Sequence, residues 1–289
     1  MKVKVYALNA FAKSGKGGNP AGVVLDANSL PDEIMQKIAC KAGFSETAFV
    51  QKSDKADFKL RFFTPRGEVD LCGHATIAAF YLLAKKNLLK PRIYSQETKA
   101  GILNLEIKED GTIFMNQNLP GFFDEINKKE IAESLNITEE ILCDDLPIQI
   151  VSTGLRDIIV PIKSLKDLHD IKPNVEKVSE ISKRYDVIGY HLFTLETKFG
   201  STAHCRNLAP LYGIPEESAT GTSCGALSCY LFNYGKIPKQ NTCRLVFEQG
   251  YSMKKPSEII AELKIRDDKI IEVKIGGIAY YMQEKELTV

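Results

Sequence analysis

DLCGHATIAAFYLLA, residues 70–84, sets an aspartate, a cysteine and a histidine within five positions, directly ahead of the longest apolar run in the chain. Three readings compete for it: a metal site, a thiol nucleophile with its base, or the entrance to a helix. From Ala75 to Ala84 only Thr76 and the hydroxyl of Tyr81 are polar, so a helix here has no water-facing side. Such a helix is enclosed on all sides. Its first amide groups still need partners, and they lie at Cys72-Gly73-His74.

The chain repeats this arrangement. With Gly73 set against Gly221, CGHATIAAFYLLAKKNLL (72–89) aligns with TGTSCGALSCYLFNYGKI (220–237), and the two copies lie half the chain apart. Both open on glycine beside a small polar residue and then run apolar for two to three turns. Residues 92–115 and 244–275 also match in kind: a strand, a loop, and a strand pair joined by Asp110-Gly111 or Asp267-Asp268. The alternation of Leu103, Leu105 and Ile107, and of Ala261, Leu263 and Ile265, fits sheets with one buried face. An internal duplication is the economical explanation. The expected fold is α+β: two similar lobes, each a curved β-sheet around one central α-helix. Pro120-Gly121 marks the expected link, giving an N-terminal lobe over 1–117 completed by 275–289 and a C-terminal lobe over 118–274.

Bulk properties narrow the function. A chain of 289 residues with 44% hydrophobic and 26% charged side chains has the composition of a globular protein. Its formal charge is +1 with basic residues scattered, so nucleic acid is not an expected partner. The start, MKVKVYALNAF, alternates like a strand and shows no leader pattern, and the apolar run at 76–84 is too short to cross a bilayer. The expectation is a cytoplasmic protein with no membrane partner. Seven cysteines without a C-x-x-C pair suggest neither a disulfide framework nor a zinc module.

Glycine at the two helix entrances lets a ligand approach the backbone, and the aligned peptide dipoles favour an anion such as a carboxylate. Glu46 follows a helix-like stretch, PDEIMQKIACKAG (31–43), and shares a strand side with Ala48 and Val50. A carboxyl on an apolar face loses hydration, which lets it both take and return a proton. The same pattern also suits a strand-end glutamate bonded to nearby backbone. His74 has no second histidine at ligand spacing, so no metal is expected. Cys72 and His74, two apart at a helix entrance, are expected to point away from each other. His204-Cys205-Arg206-Asn207 resembles a ligand cluster without partners and reads as structural.

Six stretches taken in order carry a resemblance: GGNPAGVV (17–24), SETAFV (45–50), FTPRGEVDLCGHAT (63–76), GIPEESATGTSCGAL (213–227), FEQGYSMKKPS (247–257) and VKIGGIAYYM (273–282). Together they resemble the PhzF-like phenazine-biosynthesis isomerases, of the diaminopimelate epimerase fold, over nearly the whole chain. The resemblance implies two pseudo-symmetric lobes, each a barrel-like mixed β-sheet around a central α-helix, a homodimer, an active site between the lobes, and cofactor-free proton movement on a small carboxylate by a single glutamate. Carried onto this sequence, that glutamate is Glu46 and the assisting histidine is His74. Gly73 and Gly221 would offer amides to the substrate carboxylate, with Glu217, Thr222 and Asn19 completing the substrate-binding set. Glu217 and Thr222 stand where the family commonly has aspartate and serine, so an acid one methylene longer and a bulkier hydroxyl are expected to line the pocket.

Two alternatives stay open. A two-base amino-acid epimerase would use Cys72 as one thiol, but Thr220 holds the place of the second, and an unactivated hydroxyl is a poor base. A binding dimer without turnover would use the same polar groups.

Overall fold

The computed structural model describes residues 1–289. The chain is α+β and divides into two compact units, one formed by 1–116 with 276–289 and the other by 117–275. No helix is long and apolar enough to cross a membrane.

The first unit opens with β1 (Lys2–Ala10) and β2 (Asn19–Val24), paired antiparallel. Between them Gly15, Gly17 and Gly18 all have positive φ. The glycine-rich stretch is therefore a turn. Helix α1 (Asp32–Ala42) starts after Pro31 and stops at Gly43, whose φ of 73° is the left-handed cap that glycine adopts without strain. It buries Met35, Ile38 and Ala39 against Val3, Val5, Val24, Phe49 and Phe63. Strands β3 (Thr47–Gln51), β4 (Phe58–Phe63) and β5 (Glu68–Val69) lead into α2 (Gly73–Lys85). β3 runs parallel to β2 and antiparallel to β4. After α2 come β6 (Arg92–Thr98), β7 (Gly101–Ile107) and β8 (Ile113–Gln117), consecutive antiparallel partners. The chain's last strand, β18 (Ala279–Thr288), returns to pair with β1.

The second unit continues through β9 (Gly121–Glu125), α3 (Lys128–Leu135), β10 (Gln149–Ser152), β11 (Arg156–Pro161), α4 (Leu165–Asp170), α5 (Val175–Arg184), β12 (Gly189–Thr194), β13 (Ala203–Ala209) and β14 (Ile214–Glu217). Then follow α6 (Gly221–Asn233), β15 (Thr242–Gln249), β16 (Ser257–Arg266) and β17 (Lys269–Gly277). Helices α3, α4 and α5 cover one side of β10, β11 and β12 through a shared core that includes Ile131, Leu168, Val178, Ile158 and Leu192. Gly189 is there for space: a methyl on it would stand 1.8 Å from the Leu208 carbonyl oxygen. At Asp267-Asp268 both residues have positive φ, the geometry of a two-residue turn that follows the twist of its strands.

Each unit wraps strands around one apolar helix. α2 packs on β1, β2, β3 and β18, and α6 packs on β10, β11 and β16. Every residue of α2 from Ala75 to Leu83 is buried except Tyr81, and every residue of α6 from Ser223 to Phe232 is buried. Each large apolar side chain here, such as Ile77, Phe80 or Leu231, contributes about 1.5–3 kcal/mol by leaving water. Aromatic edges key the helices into place: Phe80 meets Phe58 at 5.7 Å, and Tyr230 meets Phe193 at 5.8 Å.

Candidate active site

Helix α2 begins where the chain leaves an extended residue, Cys72 (φ −142°, ψ 113°). Thr76 closes the first turn, its N–H donating to the Cys72 carbonyl at 3.0 Å and its hydroxyl at 2.8 Å. No acidic side chain sits in that turn, so the positive end of the helix is not neutralised from within. A methyl added to Gly73 would meet nothing within 4 Å. The backbone is thus open to a ligand at this point.

His74 is the second residue of the helix, and Glu46 comes from the loop before β3, its carbonyl accepting the Gly22 N–H at 3.0 Å. Their side chains are 10% and 22% exposed, and His74 Nε2 lies 3.2 Å from Glu46 Oε2. That approach is close but not aligned as a hydrogen bond: Oε2 is sealed from solvent with no donor aimed at it. Such an oxygen is an acceptor in waiting. Ser45 Oγ stands 3.5 Å from the same ring nitrogen.

Cys72 Sγ lies 3.3 Å from His74 Nδ1, so the expectation that these two side chains diverge is corrected. Cys72 precedes the helix in an extended conformation, and helical spacing does not govern the pair. Glu46, Cys72 and His74 each offer a ligand-type atom within 4.8 Å of the others. Spacing along the sequence concealed this group because Glu46 arrives from a different segment. Sγ sits nearer Nδ1 and the carboxylate nearer Nε2, so thiol and carboxylate flank different ring nitrogens. An imidazole so placed can relay a proton between them.

Asn19, the remaining expected residue of this unit, is buried at the start of β2 opposite Ala10 of β1. In the second unit Glu217 ends β14, and Thr220 is the extended residue before Gly221 opens α6. Thr220 Oγ1 donates to Glu217 Oε2 at 2.6 Å, while the Thr222 carbonyl accepts from Thr153 Oγ1 at 3.3 Å. Glu46 and His74 are thus brought together in one unit, and Glu217 and the α6 entrance in the other.

Behind that entrance lies a polar network. Ser223 Oγ donates to Asp157 Oδ2 at 2.6 Å and accepts from Asn207 Nδ2 at 3.1 Å, and Asn207 also contacts His191 Nδ1 at 3.2 Å. Cys224 Sγ is 3.8 Å from His191 Nε2. Every residue of β13 is buried, and Arg206 grips Glu216 with two bonds of 2.9 Å.

Burial pushes the Asp157 carboxyl from 3.8 up to about 6, against the opposing bond from Ser223. With its folded value raised, Asp157 keeps a proton at pH values where the unfolded chain has released it. Its contribution to stability is therefore present at low pH and lost as pH rises through the window from 3.8 to about 6. Measured against Asp157→Asn, wild-type unfolding free energy is expected to fall by about 3 kcal/mol between acid and neutral pH. Parallel pH profiles for the two proteins in denaturant titrations would remove this account of Asp157.

Residues 8–285 match the PhzC-PhzF family, described as phenazine biosynthesis-like protein. An uncharacterized isomerase of Bacillus subtilis, YfhB, is 37% identical, covering 100% of this chain and 99% of its own length. A trans-2,3-dihydro-3-hydroxyanthranilate isomerase of Pseudomonas fluorescens is 27% identical over 93% of this chain and 94% of its own. The crystal structure of a Bacillus anthracis phenazine biosynthesis protein of the PhzF family superposes with a TM-score of 0.92 at 35% identity, covering 100% of both chains.

Proposed function

Because the chain belongs to the phenazine biosynthesis-like PhzC-PhzF family and is an isomerase of that family, we propose that it moves a proton between carbons of a small cyclic or amino carboxylate, with Glu46 as the single acid/base. The observation that carries this reading is the solvent-sealed Oε2 of Glu46, 3.2 Å from His74 Nε2 at the open start of α2. A carboxylate there takes a proton from carbon without water competing for it, and returns it to another carbon of the same molecule. His74 assists by hydrogen bonding or by holding charge beside it. The Gly73 amide, at the positive helix end, is the proposed anchor for the substrate carboxylate. Glu217, Gly221, Thr222 and Asn19 are proposed as further substrate contacts. No cofactor enters the reaction in this reading.

The relative from Pseudomonas fluorescens supplies the first compound to try, trans-2,3-dihydro-3-hydroxyanthranilate. Incubation with the protein in heavy water, alongside cyclic and amino carboxylates, is expected to place deuterium on a ring or α carbon, read by mass spectrometry. A protein that binds these compounds but never exchanges carbon-bound hydrogen is a binder, and the proposal fails.

The contact of 3.3 Å between Cys72 Sγ and His74 Nδ1 favours a second reading, in which the thiol is one base of an epimerase. Against it, Thr220 spends its hydroxyl proton on Glu217 and presents no partner thiol. Cys224 is fully buried beside His191. Exchange that survives in Glu46→Gln and vanishes in Cys72→Ala would select the epimerase.

A further inference from the structure

The stretch FEQGYSMKKPS ends β15 and has no part in the reaction described so far, yet its Gln249 is fully buried against the loop that carries Glu217. Gln249 Nε2 donates to the Glu217 carbonyl at 2.8 Å, and Gln249 Oε1 accepts the Thr220 N–H at 3.2 Å. A carbonyl only accepts and a backbone N–H only donates, so these two bonds fix which end of the amide is which. The second Nε2 proton then falls on Thr220 Oγ1, at 3.1 Å. With its oxygen already accepting, Thr220 sends its single proton to Glu217 Oε2, at 2.6 Å. The order of donation runs one way, from amide to hydroxyl to carboxylate. The backbone enforces the approach as well: Gly250 (φ 80°) packs so closely that a methyl on it would stand 2.6 Å from the Ser218 carbonyl oxygen.

We infer that Gln249 is a positioning residue of the site, orienting the Thr220 hydroxyl so that Glu217 is held as a hydrogen-bond acceptor for a donor substituent, an amino or hydroxyl group, on the carboxylate substrate. The inference rests on the reading that Glu217 contacts substrate. Thr220, in this arrangement, serves the carboxylate rather than the reacting carbon. Other charged and titratable groups surround the loop: Glu216, paired with Arg206, and the buried Asp157, His191 and Cys224. None of them replaces the Gln249 amide in the chain of donors to Oε2.

The test needs no substrate. Carboxyl-labelled glutamate is followed by carbon NMR through a pH titration, with the Glu217 signal assigned from its loss in Glu217→Gln. Thr220→Val is expected to raise the Glu217 midpoint by about one pH unit, the scale of a lost charge-assisted bond. Gln249→Met is expected to raise it in the same direction, and the double variant no further than Thr220→Val alone, since the glutamine acts through the threonine. An unmoved midpoint in Gln249→Met, or additive shifts in the double variant, would overturn the inference. If Gln249→Met does not fold, the Gln249 side-chain amide decides: its protons should exchange slowly in the wild type and one should exchange faster in Thr220→Val, whereas equal rates would overturn the proposed order. A chain that shows these shifts but turns over no carboxylate would sink the functional reading and leave the positioning role standing.

Discussion

Glu46→Gln is expected to slow carbon-to-carbon proton transfer by 10²–10⁴-fold, the range a positioned acid/base typically supplies, with no loss of folded protein. Glutamine keeps the shape and polarity of the side chain but cannot take a proton at neutral pH. The backbone of residue 46 holds its place through the Gly22 N–H, which the substitution leaves intact. Oε2 accepts no aligned hydrogen bond in the resting protein, so an amide in its place breaks none. Turnover and thermal stability should therefore separate: the first collapses and the second stays within the usual spread of a surface change. Binding of a carboxylate at Gly73 should survive, since the amide and the helix end are unaltered. Activity retained within tenfold would remove Glu46 from the chemistry.

The largest expected effect on stability lies at Glu248. Its carboxylate is fully buried and takes four donors: the Lys198 N–H at 2.9 Å, the Phe199 N–H at 2.8 Å, Ser201 Oγ at 3.0 Å and His204 Nδ1 at 2.7 Å. Burial alone would raise its pKa, but these bonds outweigh burial and hold the carboxyl below its ordinary value. The neighbouring His204 is moved down chiefly by burial and stays the neutral donor of the pair. Glu248→Ala strands all four donors at once. Each buried donor left unsatisfied costs about 1–3 kcal/mol, so with four stranded the urea midpoint should fall far enough to threaten folding at 37 °C. Glu248→Gln, which still accepts through one oxygen, should lose less. A loss below about 1 kcal/mol in the alanine variant would mean that water or backbone movement satisfies those donors.

Local signals in the sequence were enough for the elements that organise each unit. The unbroken apolar runs after Gly73 and Gly221 announced enclosed helices, and the pairs Asp110-Gly111 and Asp267-Asp268 announced turns between strands, because both effects depend on neighbouring residues. Helices α3 to α5 were not anticipated. Local signals exist in the Asn127, Ser164 and Asn174 caps and in Val178 and Ile181 on the buried face of α5, but what stabilises these helices is the shared core with β10 to β12. The site divided in the same way. The resemblance pointed to Glu46 and His74, which the structure brings within 3.2 Å of each other, whereas the contact of Cys72 with His74 depends on the extended backbone at residue 72, which helical spacing does not describe. Asp157 meets Ser223 from 66 residues away, and His204 meets Glu248 from 44. Gln249 sat inside a recognised motif, but its role follows only from which atoms face Glu217 and Thr220.

One measurement bears on the central claim most directly: the fate of the hydrogen that leaves carbon. Whichever carboxylate exchanges in heavy water is prepared with deuterium at the carbon that is deprotonated and turned over in ordinary water, and the product is analysed position by position. A single glutamate that carries the hydrogen across the molecule predicts that part of the label reappears at the receiving carbon, and that Glu46→Gln makes no product. Complete loss of label to solvent, with turnover that persists in Glu46→Gln and disappears in Cys72→Ala, would contradict the account.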